Sequence, residues 1–275
     1  MPNFFMNNTG RDVFDIGYMD TLASGDSFLH RLDPRAKLIT TLVFIATVAS
    51  FNKYALSAMT PFFFYPVALI SFGGLPYRYF LKKVLAVSPF AVLVGIFNPL
   101  IDTAIMIRIG PIGISGGWVS FASILLRFIL TVSAALVLIS LTGFNATCAG
   151  LMKFGIPRPL VNQLLFFYRY IFVLVDEAER MARASSLRAI RAKIIGLRTF
   201  IPLIGSLLLR TLDRAERIYS AMRCRGFDGH IRIIRSMKAG YGEIVFTGGW
   251  IALFVLFRFS NFPLSLGTLI TGYFK

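Results

Sequence analysis

Residues 118–141 read WVSFASILLRFILTVSAALVLISL, an unbroken apolar run with one charge in it, Arg127. About 20 apolar residues suffice to cross a hydrocarbon layer ~30 Å thick. Inside that layer an open strand would leave its backbone N–H and C=O groups unpaired, so a run of this kind spans as a helix. This one stretch therefore fixes the class: an α-helical membrane protein. The composition agrees. The 275 residues are 56% hydrophobic, include 28 Phe, and only 15% are charged.

Upstream, Asp33-Pro34 is a good helix start, since Asp accepts backbone N–H bonds as N-cap and Pro suits the first helical position. Apolar runs follow over 38–51, over 54–72 with Pro61 and Pro66 inside, and over 84–101. Asn52-Lys53 is a short connection and makes the first two an antiparallel pair. Residues 73–83 (GGLPYRYFLKK) read as a basic loop, and 102–117 as a Gly- and Pro-containing loop. Downstream, 244–274 is apolar again, interrupted by Arg258 and by Asn261-Phe262-Pro263, and reads as one span, whole or broken. The expectation is all-α and polytopic, with about five or six transmembrane helices and a water-facing arm. Its segments are 1–35, polar and N-terminal; 36–142, four spans; 143–242, the arm; and 243–275, a C-terminal membrane segment.

The first 35 residues carry Asp12, Asp15, Asp20, Asp26 and Asp33 and lack a basic stretch leading into an apolar core, so they do not read as a cleavable signal peptide. The net charge of +16 is unevenly placed. Residues 151–240 hold 17 Lys and Arg against six Asp and Glu. With the N-terminus inside, Arg31, Arg35, Lys37, Arg78, Lys82, Lys83 and the whole arm fall on the cytoplasmic side. The outside loops keep only Lys53 and Arg108, as the positive-inside rule requires.

Within the arm, Gly155-Ile156-Pro157-Arg158-Pro159 breaks the chain and a helix follows. Leu164–Val175 is apolar but short and contains Arg169, the pattern of a buried or interfacial helix rather than a span. It continues as DEAERMARASSLRA (176–189), where Asp176/Arg180 and Glu179/Arg183 are i,i+4 pairs in the favourable orientation. Leu208, Leu212, Ala215, Tyr219 and Met222 form a stripe on one face of a further helix. Two readings fit: the stripe packs on the sister helix and the basic side is solvated, or the basic end of the helix is a docking surface. In SAMRCRGFDG (220–229), Gly226 fits the left-handed position that closes a helix, with Phe227 next to it. Arg225 then stands at the helix end, where the dipole favours a cation by about 0.3–1 kcal/mol. That local account fixes where the guanidinium lies and leaves open what it meets.

SFLHRLDPRAKL (27–38) resembles the N-terminal signature of the T component of energy-coupling factor transporters, a branch of the ABC class. RAERIYSAMRCRGFDG (214–229) resembles the second arginine motif of that family, and DEAERMARASSLRA the region of the first. Cys224-Arg225-Gly226 matches the motif well. Leu187-Arg188-Ala189 matches less closely, with Ala182-Arg183-Ala184 as the alternative. Within the family the start and the RGFDG ending are most similar to the cobalt-type branch, CbiQ. The resemblance implies a non-catalytic subunit that joins two ABC ATPase subunits to a membrane substrate-capture (S) subunit, in the inner membrane of a prokaryote. It implies that Arg188, Ala189, Arg225 and Gly226 form the ATPase-coupling motifs, their arginines engaging acidic residues. ATP and magnesium would be bound by the ATPases, and the cargo (cobalt, then nickel, or a vitamin) by the S subunit, with no cofactor in this chain.

The residues bear on these implications. The chain has no G-x-x-x-x-G-K-[ST] phosphate loop. Its two histidines, His30 and His230, and two cysteines, Cys148 and Cys224, offer no metal-ligand spacing. Asp102 is the sole acid from 36 to 142, which argues against an ion-coupled, stand-alone carrier. No nucleophile is paired with a base, which argues against a membrane enzyme. The arm's aromatics sit in an apolar run instead of alternating with its cations, which argues against nucleic acid. Arg127 fits either a structural bond to a backbone carbonyl or a docking role toward the S subunit.

Overall fold

The computed structural model describes residues 17–53, 56–101, 105–109, 112–188, 197–229, 231 and 240–259. The long helices among them are α1 (Pro34–Ala49), α2 (Leu56–Gly73), α3 (Tyr77–Gly95), α4 (Gly116–Thr142), α5 (Phe144–Lys153), α6 (Arg158–Arg188), α7 (Leu197–Cys224) and α8 (Tyr241–Phe259). They fall into two compact units. A membrane unit comprises 22–143 and 236–275; an arm unit comprises 1–21 and 144–235.

In the membrane unit α2, α4 and α8 are long and apolar enough to span. The other two helices, α1 and α3, pack with them around one core. The helix α1 begins as its sequence requires: Pro34 opens it and Asp33 accepts a bond from the Arg35 N–H at 2.9 Å. Thr40 and Thr41 return their hydroxyls to the carbonyls of Ala36 and Lys37, so that neither is orphaned among apolar neighbours. Thr41 also meets the Tyr65 hydroxyl at 2.9 Å. Around it Phe44, Phe62, Tyr65, Trp250 and Phe254 form an aromatic cluster, with Phe44 stacked on Tyr65 at 4.6 Å and Phe254 edge-on to Tyr65 at 5.2 Å.

Three features depart from the sequence reading. Proline cannot donate to the α ladder, and around Pro61 the second span tightens into a 3-10 turn over Thr60–Phe63. The stretch read as a basic loop over 73–83 is mostly helix. Left-handed Gly74 closes α2, Leu75 N–H returns to Ile70, and α3 starts at Tyr77, so Arg78, Lys82 and Lys83 are its first turns. The stretch read as a loop over 102–117 holds a short antiparallel hairpin, β1 (Ile105–Ile109) with β2 (Ile112–Ser115), and α4 starts at Gly116. Asp102, His230 and Asn261-Phe262-Pro263 lie outside the described residues. Gly95 lets α3 lie close to α4: a Cβ there would stand 2.8 Å from the Phe121 ring.

Two arginines converge on the C-terminal end of α1. Arg127, from within α4, donates to the Phe51 carbonyl at 2.7 Å. Arg258, from the last turn of α8, donates to the Ser50 carbonyl at 3.2 Å and lies 4.2 Å over the Phe51 ring. Carbonyls at a helix C-terminus lack internal donors and carry the negative end of the dipole, so cations are favoured there. At the other end of α1, Lys37 is buried and donates to the Leu141 carbonyl at 2.9 Å and to the His30 carbonyl at 3.4 Å. The His30 ring is held by Ser27 Oγ at 2.6 Å and by the Leu22 carbonyl at 3.0 Å.

The arm unit has a small core of Cys148, Val161 and Leu165, against which Phe144, Leu151, Ile156 and Ile231 pack. Burial pushes the Cys148 thiol up to about 11, whereas Cys224 is exposed. Because the thiolate is the reactive form, a maleimide at pH 7.5 should modify Cys224 in the native protein and Cys148 only after denaturation. Thiol counting before and after denaturant checks this, and equal labelling in the native state would contradict the packing.

Candidate functional site

The candidate site is built on α6 and α7 of the arm unit. The apolar run over 164–175 and the charged run after it form one unbroken helix, α6, of 31 residues. The next described helix, α7, starts at Leu197, passes through Pro202 and ends at Cys224. The two helices meet in antiparallel sense. Glu177 of α6 pairs with Arg210 of α7 at 3.0 Å, while Ile218, Ala221 and Met222, further along α7, face Leu165 to Phe172, earlier on α6. This cross-helix pair was not readable from local spacing. Of the two pairs that were, Glu179–Arg183 forms at 3.8 Å. Arg180 instead turns its Nε to the Asp176 backbone carbonyl at 3.3 Å.

The end of α7 closes as a Schellman motif. Gly226 is left-handed at φ 78°, its N–H bonds the Arg223 carbonyl at 3.0 Å, and the Phe227 N–H bonds the Met222 carbonyl at 3.0 Å. The chain beyond is anchored by a residue that the sequence reading passed over. Buried Asn162 donates to the Gly229 carbonyl at 2.6 Å. An amide beside Val161, in the apolar opening of α6, was the available signal. Asn162→Ala should cost about 1–3 kcal/mol, the penalty for unpairing that carbonyl. The loss should fall on the 226–229 turn, read as faster hydrogen exchange there with the core of the membrane unit unchanged; unaltered exchange would remove Asn162 from the site.

Arg225, so positioned, lines an open cleft of about 1050 Å³ between α6, α7 and the start of α5. Its walls include Arg169, Tyr170, Phe166, Phe172, Met222 and Phe227. Tyr168 also lines it, stacked on Phe144 at 4.2 Å. Burial, and then Asp20 beside it, hold the Tyr168 hydroxyl above its ordinary range. Asp20 also accepts from the Phe144 N–H at 3.2 Å and so caps the start of α5.

Arg188 is exposed at the last residue of α6; Ala189 lies outside the described residues. Among the described residues neither Arg188 nor Arg225 has a hydrogen bond or ion pair, whereas Arg183 is taken by Glu179. The two free arginines are not neighbours. Arg169 shares the cleft with Arg225 and precedes Arg188 by 19 residues of one helix, an axial distance of ~28 Å. Arg127 belongs to the membrane unit, where it bonds the Phe51 carbonyl.

Most of the apolar stripe of α7 points outward. Leu208, Leu212 and Tyr219 are each more than half exposed, and Ile201 and Ile204 extend the same face. The side turned inward toward α6 carries Ile218 and the last member of the stripe, Met222. An uncovered apolar face of this length marks a surface for another molecule. The stripe is therefore divided: Met222 meets the sister helix, whereas Leu208, Leu212 and Tyr219 stay uncovered.

Comparison with known proteins gives consistent matches. The family model described as cobalt transport protein, CbiQ, matches residues 25–235. The energy-coupling factor transporter transmembrane protein EcfT of Leuconostoc gelidum subsp. gasicomitatum is 26% identical over 237 residues, 80% of this chain and 87% of the relative. That of Listeria innocua is 28% identical over 225 residues, 74% and 82% of the two chains. The cobalt transport protein CbiQ of Rhodobacter capsulatus is 30% identical over 139 residues, 49% and 57%.

Proposed function

The chain belongs to the CbiQ family of cobalt transport proteins, and from that premise we propose that it is the membrane-embedded coupling subunit of an energy-coupling factor importer. The observation that carries the reading is the pair of arginines, Arg188 and Arg225, without a partner among the described residues, Arg188 standing ~28 Å along α6 from Arg169, which shares the cleft with Arg225. A guanidinium presents a planar fork that takes a carboxylate through two parallel bonds. Two such forks this far apart suit two ATPase subunits, each offering an acidic residue. Stiff helices with a cross-helix ion pair behind them pass on a push. The outward stripe of α7 supports docking of a partner through apolar contact.

In this reading the ATPases bind ATP and magnesium and do the hydrolysis, and this chain transmits their closure to an S subunit that holds the cargo. The N-terminus and the arm face the cytoplasm of a prokaryote, as the placement of Lys and Arg argues. The cargo is cobalt ion, supported by the family description and by the Rhodobacter relative. Nickel comes next. The EcfT relatives, whose names specify no cargo and which cover more of the chain, keep a vitamin as the second reading.

Purification of the full chain from native membranes should bring along two ATPases and one S subunit, and the metal or vitamin on the S subunit identifies the cargo. Solute uptake by the chain alone in lipid vesicles would overturn the assignment.

A further inference from the structure

The cleft beside Arg225 has a composition that protein coupling alone does not explain. Among the described residues lining it there is no carboxylate, and Arg169, like Arg225, has no hydrogen bond or ion pair. Two bare guanidinium groups therefore share walls made of aromatic and aliphatic side chains. Arg169 interrupts an otherwise apolar stretch, Leu164–Val175, whose Leu164, Phe167 and Leu174 remain exposed. A helix with exposed apolar side chains, tyrosines and a cation is the pattern of a membrane interface.

We propose that this cleft binds an anionic phospholipid of the bilayer, its phosphate held by Arg169 with Arg225 at the rim and its acyl chains against Phe166, Phe172 and Met222. Arginine matches a phosphate group bidentately. Arg and Lys clusters beside a membrane surface gather anionic headgroups. The aromatic walls take the glycerol and upper acyl carbons, which a free phosphate ion would leave bare. A lipid in this place would tie the activity of the coupling arm to the charge of the inner leaflet.

The test uses the full chain in nanodiscs of phosphatidylglycerol mixed with phosphatidylcholine, with bound lipid counted by native mass spectrometry. The wild type should retain phosphatidylglycerol over phosphatidylcholine. In Arg169→Gln that preference should drop about fivefold, the effect of one cation at a membrane surface, and Arg169→Lys should keep part of it. Arg78→Gln, on the first turn of α3, should leave it intact. Because Arg169 is exposed, the variants are expected to fold, and Arg169→Gln should still co-purify with the ATPases. An unchanged lipid preference in Arg169→Gln overturns the proposal. So does loss of ATPase assembly in that variant with lipid retained, which would make a partner protein the occupant, and so does displacement of the lipid by inorganic phosphate at millimolar concentration.

Discussion

Arg225→Glu should abolish co-purification of the ATPases while the chain itself stays folded. The guanidinium is exposed and has no partner among the described residues, so removing it breaks no bond of the fold. The helix end it stands on is closed by Gly226 and Phe227 through backbone bonds that do not involve the Arg225 side chain. All of the loss should therefore appear in assembly. Truncating one partner of a desolvated charged pair costs about 2–5 kcal/mol, and setting a carboxylate against a carboxylate adds repulsion. A loss of at least ~30-fold in affinity follows. Arg225→Lys keeps the charge but not the fork, so it should be intermediate. Arg188→Glu should give a separate loss, and because the two sites stand far apart the double variant should approach the sum of the singles. Co-purification and ATP-dependent uptake read both. Normal assembly and uptake in the two glutamate variants would refute the coupling role.

Lys37→Ala should lower the unfolding midpoint of the detergent-solubilised protein by about 5–10 °C. Leu141 lies in the last turn of α4, where its carbonyl has no donor from its own helix, and buried Lys37 supplies one across the bundle. The same ammonium reaches the His30 carbonyl in the turn that leads into α1. Alanine leaves both acceptors without that donor and opens a void where the stem ran, each a recognised source of large destabilisation. Lys37→Met refills the space without restoring the donor, so it should recover part of the loss. Intrinsic tryptophan fluorescence on heating reads the shift, since Trp118 and Trp250 both belong to the membrane unit. An unchanged midpoint in Lys37→Ala would show that the knot formed by SFLHRLDPRAKL contributes nothing to the membrane unit.

Several local features were legible from residue types alone. Asp33-Pro34 started a helix and Gly226-Phe227 closed one, because capping depends on the residues at the cap and on backbone geometry. The basic stretch over 77–83 was misread because its charges suggested a loop, although Tyr, Arg, Phe, Leu and Lys carry no helix breaker and Gly74 with Pro76 had already supplied the turn. The hairpin over 105–115 was missed because short apolar strands carry too little periodicity to separate from a loop. Arg127 left two roles open from sequence, and its bond to the Phe51 carbonyl became visible only with α1 and α4 in place.

By itself the amino-acid sequence determined that the chain is a helical membrane protein with a basic arm, and where two of its helices cap. These follow from hydropathy, charge and local backbone preference, which act over a few residues. Tertiary structure alone decided that Lys37 is buried on Leu141, that Glu177 pairs with Arg210, that Leu208, Leu212 and Tyr219 on α7 stay uncovered, and that Arg225 shares its cleft with Arg169 and not with Arg188. Each of those depends on which helix face meets which neighbour. The free energy of that choice is spread over contacts distant in the chain, and no short stretch of residues records it.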